Sequence, residues 1–138
     1  MYKVKKDSAW CVDPSIGKVC YSKKEIKGLR CLLVEPFNVR TLSGGDTSGT
    51  HRLEGMGTGF ISEICRLDLA DEIIAVKDED AYKTARDLAR IEGVFGGVTS
   101  GANVWAAIER VKILRKGKTI VTVVCDSGLK YLHGDLYV

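Results

Sequence analysis

Only two prolines and no tract of biased composition occur in 138 residues, which argues against disorder. No apolar run approaches the ~20 residues that a helix needs to cross a bilayer, so a soluble protein is expected. The segment Met1 to Trp10 is basic but carries no apolar stretch behind it; it fails as a secretory signal and points to the cytoplasm. Cysteines 11, 20, 31, 65 and 125 are odd in number and never spaced as C-x-x-C, which disfavours a disulfide framework and a zinc site. Most are expected to act as small core hydrophobes. His51 and His133 have no Cys, His or acidic partner at a metal-like spacing, so surface or packing roles are expected of both. No set of Ser, His and Asp announces a hydrolase.

What the chain does have is enough apolar material, 45% of its residues, for one domain with a real core. The net charge of +3 is unevenly placed, since residues 1–30 carry eight Lys or Arg against three Asp or Glu. Without clustered Arg or interleaved aromatics this reads as a solvated lead-in, and no nucleic-acid partner is expected. Within residues 1–28 the periodicity is weak, with turn signals at Asp13-Pro14-Ser15 and Gly17 and a short helix near Tyr21 to Ile26.

From Arg30 the pattern sharpens. Cys31-Leu32-Leu33-Val34 reads as a strand covered on both faces, Glu72-Ile73-Ile74-Ala75-Val76 as a second buried strand, and Thr119 to Val124 is a third apolar, β-branched run. Between the first two, Thr41 to Gly59 holds six glycines, too many for a regular element, so a long loop is expected there, followed by a helical turn in Phe60 to Cys65. Asp78 is placed to cap a helix running to Glu92, with Gly93 in the left-handed position after it and a stripe of Ala81, Ala85, Leu88 and Ala89. Gly96 to Gly101 reads as a small-residue turn leading into a helix from about Ala102 to Arg115, closed by Gly117. Strands alternating with helices give an α/β class with a three-layer, mainly parallel sheet flanked by helices.

Three glycine-bearing turns are candidate ligand edges. Gly55-Met56-Gly57-Thr58-Gly59 has no strand before it, which excludes the dinucleotide fingerprint and leaves a plain loop or a close backbone approach to an anion. Gly96 to Gly101 delivers Thr99 and Ser100 to a helix start, where one hydroxyl can cap while its neighbour faces a cleft. Asp126-Ser127-Gly128 follows a strand end and alone supports only a turn.

Taken in order, these stretches resemble one family. Leu33-Val34-Glu35-Pro36, His51 to Ile61 (HRLEGMGTGFI), Asp71 to Val76 and Asp78-Glu79-Asp80-Ala81 have the order and spacing of cysteine synthases, as do Gly97-Val98-Thr99-Ser100-Gly101-Ala102 and Asp126 to Leu132 (DSGLKYL). The resemblance covers residues 29–138 and corresponds to that family's C-terminal portion, with 1–28 a poorly matching lead-in. It implies a fold-type II pyridoxal-phosphate enzyme that replaces the β-substituent of O-acetylserine with sulfide to give cysteine. In that family the position of Thr99 holds a hydroxyl that hydrogen-bonds the pyridine nitrogen, and a neutral donor there restrains the ring as an electron sink. The Gly55 loop corresponds to the stretch that lines the active-site cleft. Thr99 and Gly55 are thus the expected cofactor-binding residues, with pyridoxal phosphate the expected cofactor.

Departures from the family pattern shape the expectation equally. The family's catalytic lysine and its Thr-Ser-Gly-Asn-Thr-Gly loop lie upstream of the shared region, and none of the thirteen lysines here stands in that lysine motif. Thr47-Ser48-Gly49-Thr50 mimics the loop but lacks the asparagine and reads as a decoy. Where the phosphate-binding glycine run belongs, the chain reads Trp10 to Gly17 (WCVDPSIG), without the closely packed N–H groups that a phosphate dianion needs. Ser62 and Cys125 stand where prolines are usual, and His133-Gly134 where Ser-Thr is. No residue of this chain is therefore expected to be catalytic, and cofactor binding by these residues alone is not expected. The reading is a truncated or split cysteine-synthase-like chain, inactive alone, or else a non-catalytic α/β binding or assembly module derived from that fold. A homo-oligomer or a complementary chain is the expected partner.

Overall fold

The computed structural model describes residues 26–63 and 65–138, together with the backbone of 9–12. Strands β1 (Ala9–Val12), β2 (Arg30–Pro36), β3 (Glu72–Val76) and β4 (Thr119–Thr122) form one sheet in the order β3-β2-β1-β4, and all three pairings are parallel. β1 was not foreseen. It lies in the stretch with weak periodicity, yet it joins the two halves of the sheet, with Cys11 opposite Cys31 on one side and Val121 on the other. The turns expected at Asp13 to Gly17 and the helix near Tyr21 lie outside the described residues, as does the chain stretch matching the phosphate loop beyond Val12.

β2 has Cys31 through Pro36 buried without a break, as expected of a parallel strand with neighbours on both edges and cover on both faces. Pro36 is the last residue of the strand and is still paired, opposite Val76. It tolerates that place because it lacks only a donor. The long loop follows as expected, but the described residues of the stretch 60–65 form no helix. A single bond from Cys65 N to the Ser62 carbonyl is its remnant, and the short 3-10 turn lies later, at Leu67–Leu69.

Helix α1 (Asp78–Glu92) ends as the sequence implies, with Gly93 left-handed at φ 69°. Its start differs by one residue: Lys77 is the N-cap and makes no side-chain cap bond, while the Asp78 carboxylate accepts from Arg52 N at 2.8 Å. Ala81 and Ala85 are buried as the stripe requires, together with Tyr82. Helix α2 (Val98–Ile113) starts four residues earlier than expected, so Thr99, Ser100 and Gly101 belong to its first turn rather than to a turn before it. A side chain at Gly101 would stand 2.2 Å from the Ala81 carbonyl; its hydrogen lets the two helix backbones touch. The core lies between α2, α1 and the sheet, centred on Leu32, Val34, Val76, Ala85, Val98 and Ala102, with Leu53 and Leu136 closing it from the loop and the C-terminal tail. Cys31 is buried within β2, but Cys125 is exposed, against the expectation for most cysteines. Among the described residues no helix is long and apolar enough to cross a membrane.

Candidate cofactor site

Because all strands are parallel, their C-terminal ends share one edge. The chain steps outward from β1 to β2 to β3 and then returns to the far side of β1 as β4. Open α/β sheets bind ligands beyond the carboxyl edge at such a reversal. Three segments converge there: the glycine loop after β2, the start of α2, and Asp126 to Tyr131 after β4.

The start of α2 is unusual in being buried on every side from Gly96 to Asn103. A buried helix start needs partners for its unpaired N–H groups, and no acidic residue stands in this first turn. Asp126 supplies them from the next strand's end. Its Oδ1 accepts from Gly97 N at 3.2 Å and Ser100 N at 2.9 Å, and its Oδ2 from Thr99 N at 3.3 Å and the Tyr131 hydroxyl at 2.9 Å. The Ser100 hydroxyl donates to Oδ1 as well and accepts from Asp126 N at 3.2 Å. Burial, the largest single influence, pushes the Asp126 carboxyl up, but the bonds from Ser100, Tyr131 and Thr99 together hold it below the ordinary aspartate value. The same contact, after burial, drives the Tyr131 phenol well above its usual range. Gly97 is glycine because a side chain there would sit 2.2 Å from both Asp126 Oδ2 and the Tyr131 ring.

The amides at this helix start are therefore already occupied by an internal carboxylate. What remains available at this helix start is the Thr99 side chain. Thr99 is 5% exposed, and its hydroxyl donates to the Glu54 carbonyl oxygen at 2.5 Å. That carbonyl directly precedes Gly55, which has φ 88°, and a side chain built on Gly55 would meet nothing within 4 Å except Thr99 Oγ1, at 3.6 Å. The two residues singled out from the sequence are thus neighbours across a small open space, although 44 positions separate them.

Sequence reasoning missed Asp126 as the organiser of this site, and it missed Glu54, whose carboxylate pairs with Lys130 at 2.7 Å. It also gave His51 too little. The ring Nδ1 accepts from Leu53 N at 3.1 Å, which leaves the proton on Nε2, 3.2 Å from the Gly57 carbonyl. His51 therefore braces the glycine loop from within. Thr47 to Thr50 is exposed. His133 is exposed.

Comparison with known proteins agrees with this geometry. Residues 16–126 match the family model described as pyridoxal-phosphate dependent enzyme. The cysteine synthase of Staphylococcus aureus is 41% identical over 122 residues, covering 88% of this chain and 38% of that enzyme. A probable cysteine synthase of Bacillus subtilis is 47% identical over 105 residues, 76% of this chain and 33% of that one. Among solved structures, O-acetyl serine sulfhydrylase isoform 3 from Entamoeba histolytica superimposes with a TM-score of 0.88 at 34% identity, over 96% of this chain and 41% of that one. The chain thus spans about two fifths of the length of the relatives it matches.

The ring end of such a cofactor fits what is present. A pyridine nitrogen offers one in-plane lone pair, and Thr99 offers one buried hydroxyl beside Gly55, where an added side chain would meet no other atom within 4 Å. Two described lysines stand at this edge: Lys130, whose ammonium is held by Glu54, and Lys77, which lies over the Phe37 ring. Fold, ordered motifs and this pairing of donor and space agree, and the chain belongs to the pyridoxal-phosphate dependent enzyme family, within which it is similar to the cysteine synthases.

Proposed function

We propose that residues 29–138 form the C-terminal portion of a cysteine-synthase-like active site and supply its ring-nitrogen side. The single observation that carries this reading is the buried Thr99 hydroxyl facing the open space in front of Gly55. When bound, the cofactor supplies the electron sink for exchanging the β-substituent of an activated serine such as O-acetylserine for sulfide. Thr99 contributes a neutral donor at the ring nitrogen, which orients the ring without giving it a proton. Asp126 acts one step back, fixing the α2 backbone that aims Thr99, and its charge is absorbed by three amides and two hydroxyls. The Glu54 to Gly59 loop forms the wall over that donor.

Covalent anchorage and the phosphate cradle fall to polypeptide outside these 138 residues, whether continuous with them or on a partner chain. Alone, the chain is inactive, because a covalent catalyst needs its nucleophile placed by its surroundings. The test is reconstitution with the part of the Staphylococcus aureus cysteine synthase that precedes the matched region. Cofactor absorption and cysteine formation from O-acetylserine and sulfide are expected only with both parts present. Cysteine made at an enzymatic rate by this chain alone, or a stable mixture that never takes up cofactor, would refute the reading.

One observation favours a second reading, an assembly module. Val121 in β4 and Val123 and Val124 just after it are 44%, 39% and 46% exposed, with Leu129 and Leu132 also exposed a few residues on and Phe95 exposed beside Gly128. A parallel edge strand with apolar side chains open to water is a surface that other polypeptide covers. A stable homodimer that takes up no cofactor under any pairing would favour this reading over the first.

A further inference from the structure

Helix α2 carries two apolar stripes, where a helix at the surface of a monomer needs one. Ala102 and Ala106 belong to the core. Val104, Ile108 and Val111, at spacings of four and three, run along another side, and Ile108 and Val111 are 45% and 57% exposed. α1 does the same near its end, where Ile91 is 67% exposed although Ala81 and Ala85 of that helix are buried. Between the two helices lies a groove of about 560 Å³ whose apolar floor is Leu88, Ile91, Val104, Trp105 and Ile108. Trp105 is half-buried and also packs against the core.

The rim of the groove is charged and unbalanced. Asp80, Asp87, Glu92 and Glu109 stand against Lys83 and Lys112. Both lysines are already taken, Lys83 by Asp87 at 2.6 Å and Lys112 by Glu109, and Arg90 reaches Asp87 as well, at 3.4 Å. Asp80 and Glu92 have no cationic partner among the described residues. Asp80 does face the positive start of α1. Glu92 is the last residue of that helix, where the backbone carries partial negative charge and an acid is disfavoured. The two unpaired acids are twelve positions apart, which is about 18 Å along a helix axis.

We infer that the groove between α1 and α2 receives an amphipathic helix of a partner protein, one that carries a basic residue at each end of its apolar face. The apolar side chains of that helix, recurring every three to four residues, fill the floor over Ile91, Trp105 and Ile108, as in other helix-in-groove contacts. Its two bases, about three turns apart, meet Asp80 at one end and Glu92 at the other. The floor supplies the burial, and the two acids set orientation and select the partner by charge. A second copy of this chain fits less well. The same face brings the same surplus of acid, and its two groove lysines are already paired.

The experiment titrates the intact 15N-labelled chain, without cofactor, with two synthetic amphipathic helices that share one leucine face. The first has a lysine at each end of that face and the second a glutamate in both places. The lysine peptide is expected to shift the amides of residues 88–92 and 104–109, to bind at least about tenfold more tightly than the glutamate peptide, and to weaken as salt is added. Glu92→Lys is expected to lower the affinity for the lysine peptide about tenfold and to raise that for the glutamate peptide, with the amide shifts of β2 unchanged as the sign of an intact fold. Ile108→Asp is expected to abolish binding of both peptides. Equal affinity for the two peptides overturns the inference, and so does a lysine peptide that moves no groove amide or that binds Glu92→Lys as it binds the wild type. Groove amides that shift with protein concentration alone, and cease to do so in Ile108→Asp, place a second copy in the groove and overturn it as well.

Discussion

The two helices start in opposite ways. α1 opens with Asp78, Glu79 and Asp80, its own acids in its own first turn, facing the partial positive charge of unpaired amides. α2 opens with none and draws its carboxylate from Asp126, more than 25 positions along the chain. The first arrangement is local, redundant and near the surface, so its loss is cheap. The second is singular and partly buried, and it aims the residue at the candidate site.

That contrast is open to mutation. Asp126→Ala removes the acceptor for three amides and two hydroxyls at a buried helix start, and is expected to destabilise the fold by about 3 kcal/mol or more, read as a lower urea midpoint. Gly97→Ala pushes a methyl group to 2.2 Å from the same carboxylate and the Tyr131 ring and should cost about 1–3 kcal/mol. Glu79→Ala, at the α1 start, should cost about 0.3–1 kcal/mol at low salt and less as salt is added. A Glu79→Ala loss as large as that of Asp126→Ala would erase the distinction between the two starts.

Acid sharpens the same comparison. The Asp126 carboxyl lies below its ordinary value in the folded chain, so its stabilisation is fully present above the unfolded value of about 3.9 and is lost as pH falls through the lower folded value. The urea midpoint should therefore fall in that acidic window in the wild type. In Asp126→Asn that part of the fall should be absent, from a lower starting stability. An acid limb identical in the two proteins would show that Asp126 does not carry it.

The same difference explains what could be read from the sequence. α1 was legible nearly to the residue, because its acids, its alanine stripe and Gly93 all lie within it. β2 and β3 were legible as apolar runs. β1 was not, since four residues in a basic stretch become a strand only through partners at 30–32 and 119–122. The first turn of α2 read as a loop because Thr99, Ser100 and Gly101 are poor helix formers, and the carboxylate that overrides that preference is remote. Thr99 and Gly55 came from the family resemblance; residue chemistry alone left Gly55 as a plain loop or a close approach to an anion, and Thr99 as a helix cap or a hydroxyl facing a cleft. The bond between Thr99 and the Glu54 carbonyl carries no local signal, because a backbone acceptor looks the same at every position.

The central claim is that Thr99 meets the ring nitrogen as a neutral donor while Asp126 stays engaged with the α2 amides. The most direct measurement is the 15N spectrum of ring-labelled pyridoxal phosphate bound to the reconstituted assembly, with wild-type chain and with Thr99→Val. An unprotonated nitrogen whose signal moves when the hydroxyl is removed is the predicted result. A protonated nitrogen, indifferent to Thr99, would contradict the account.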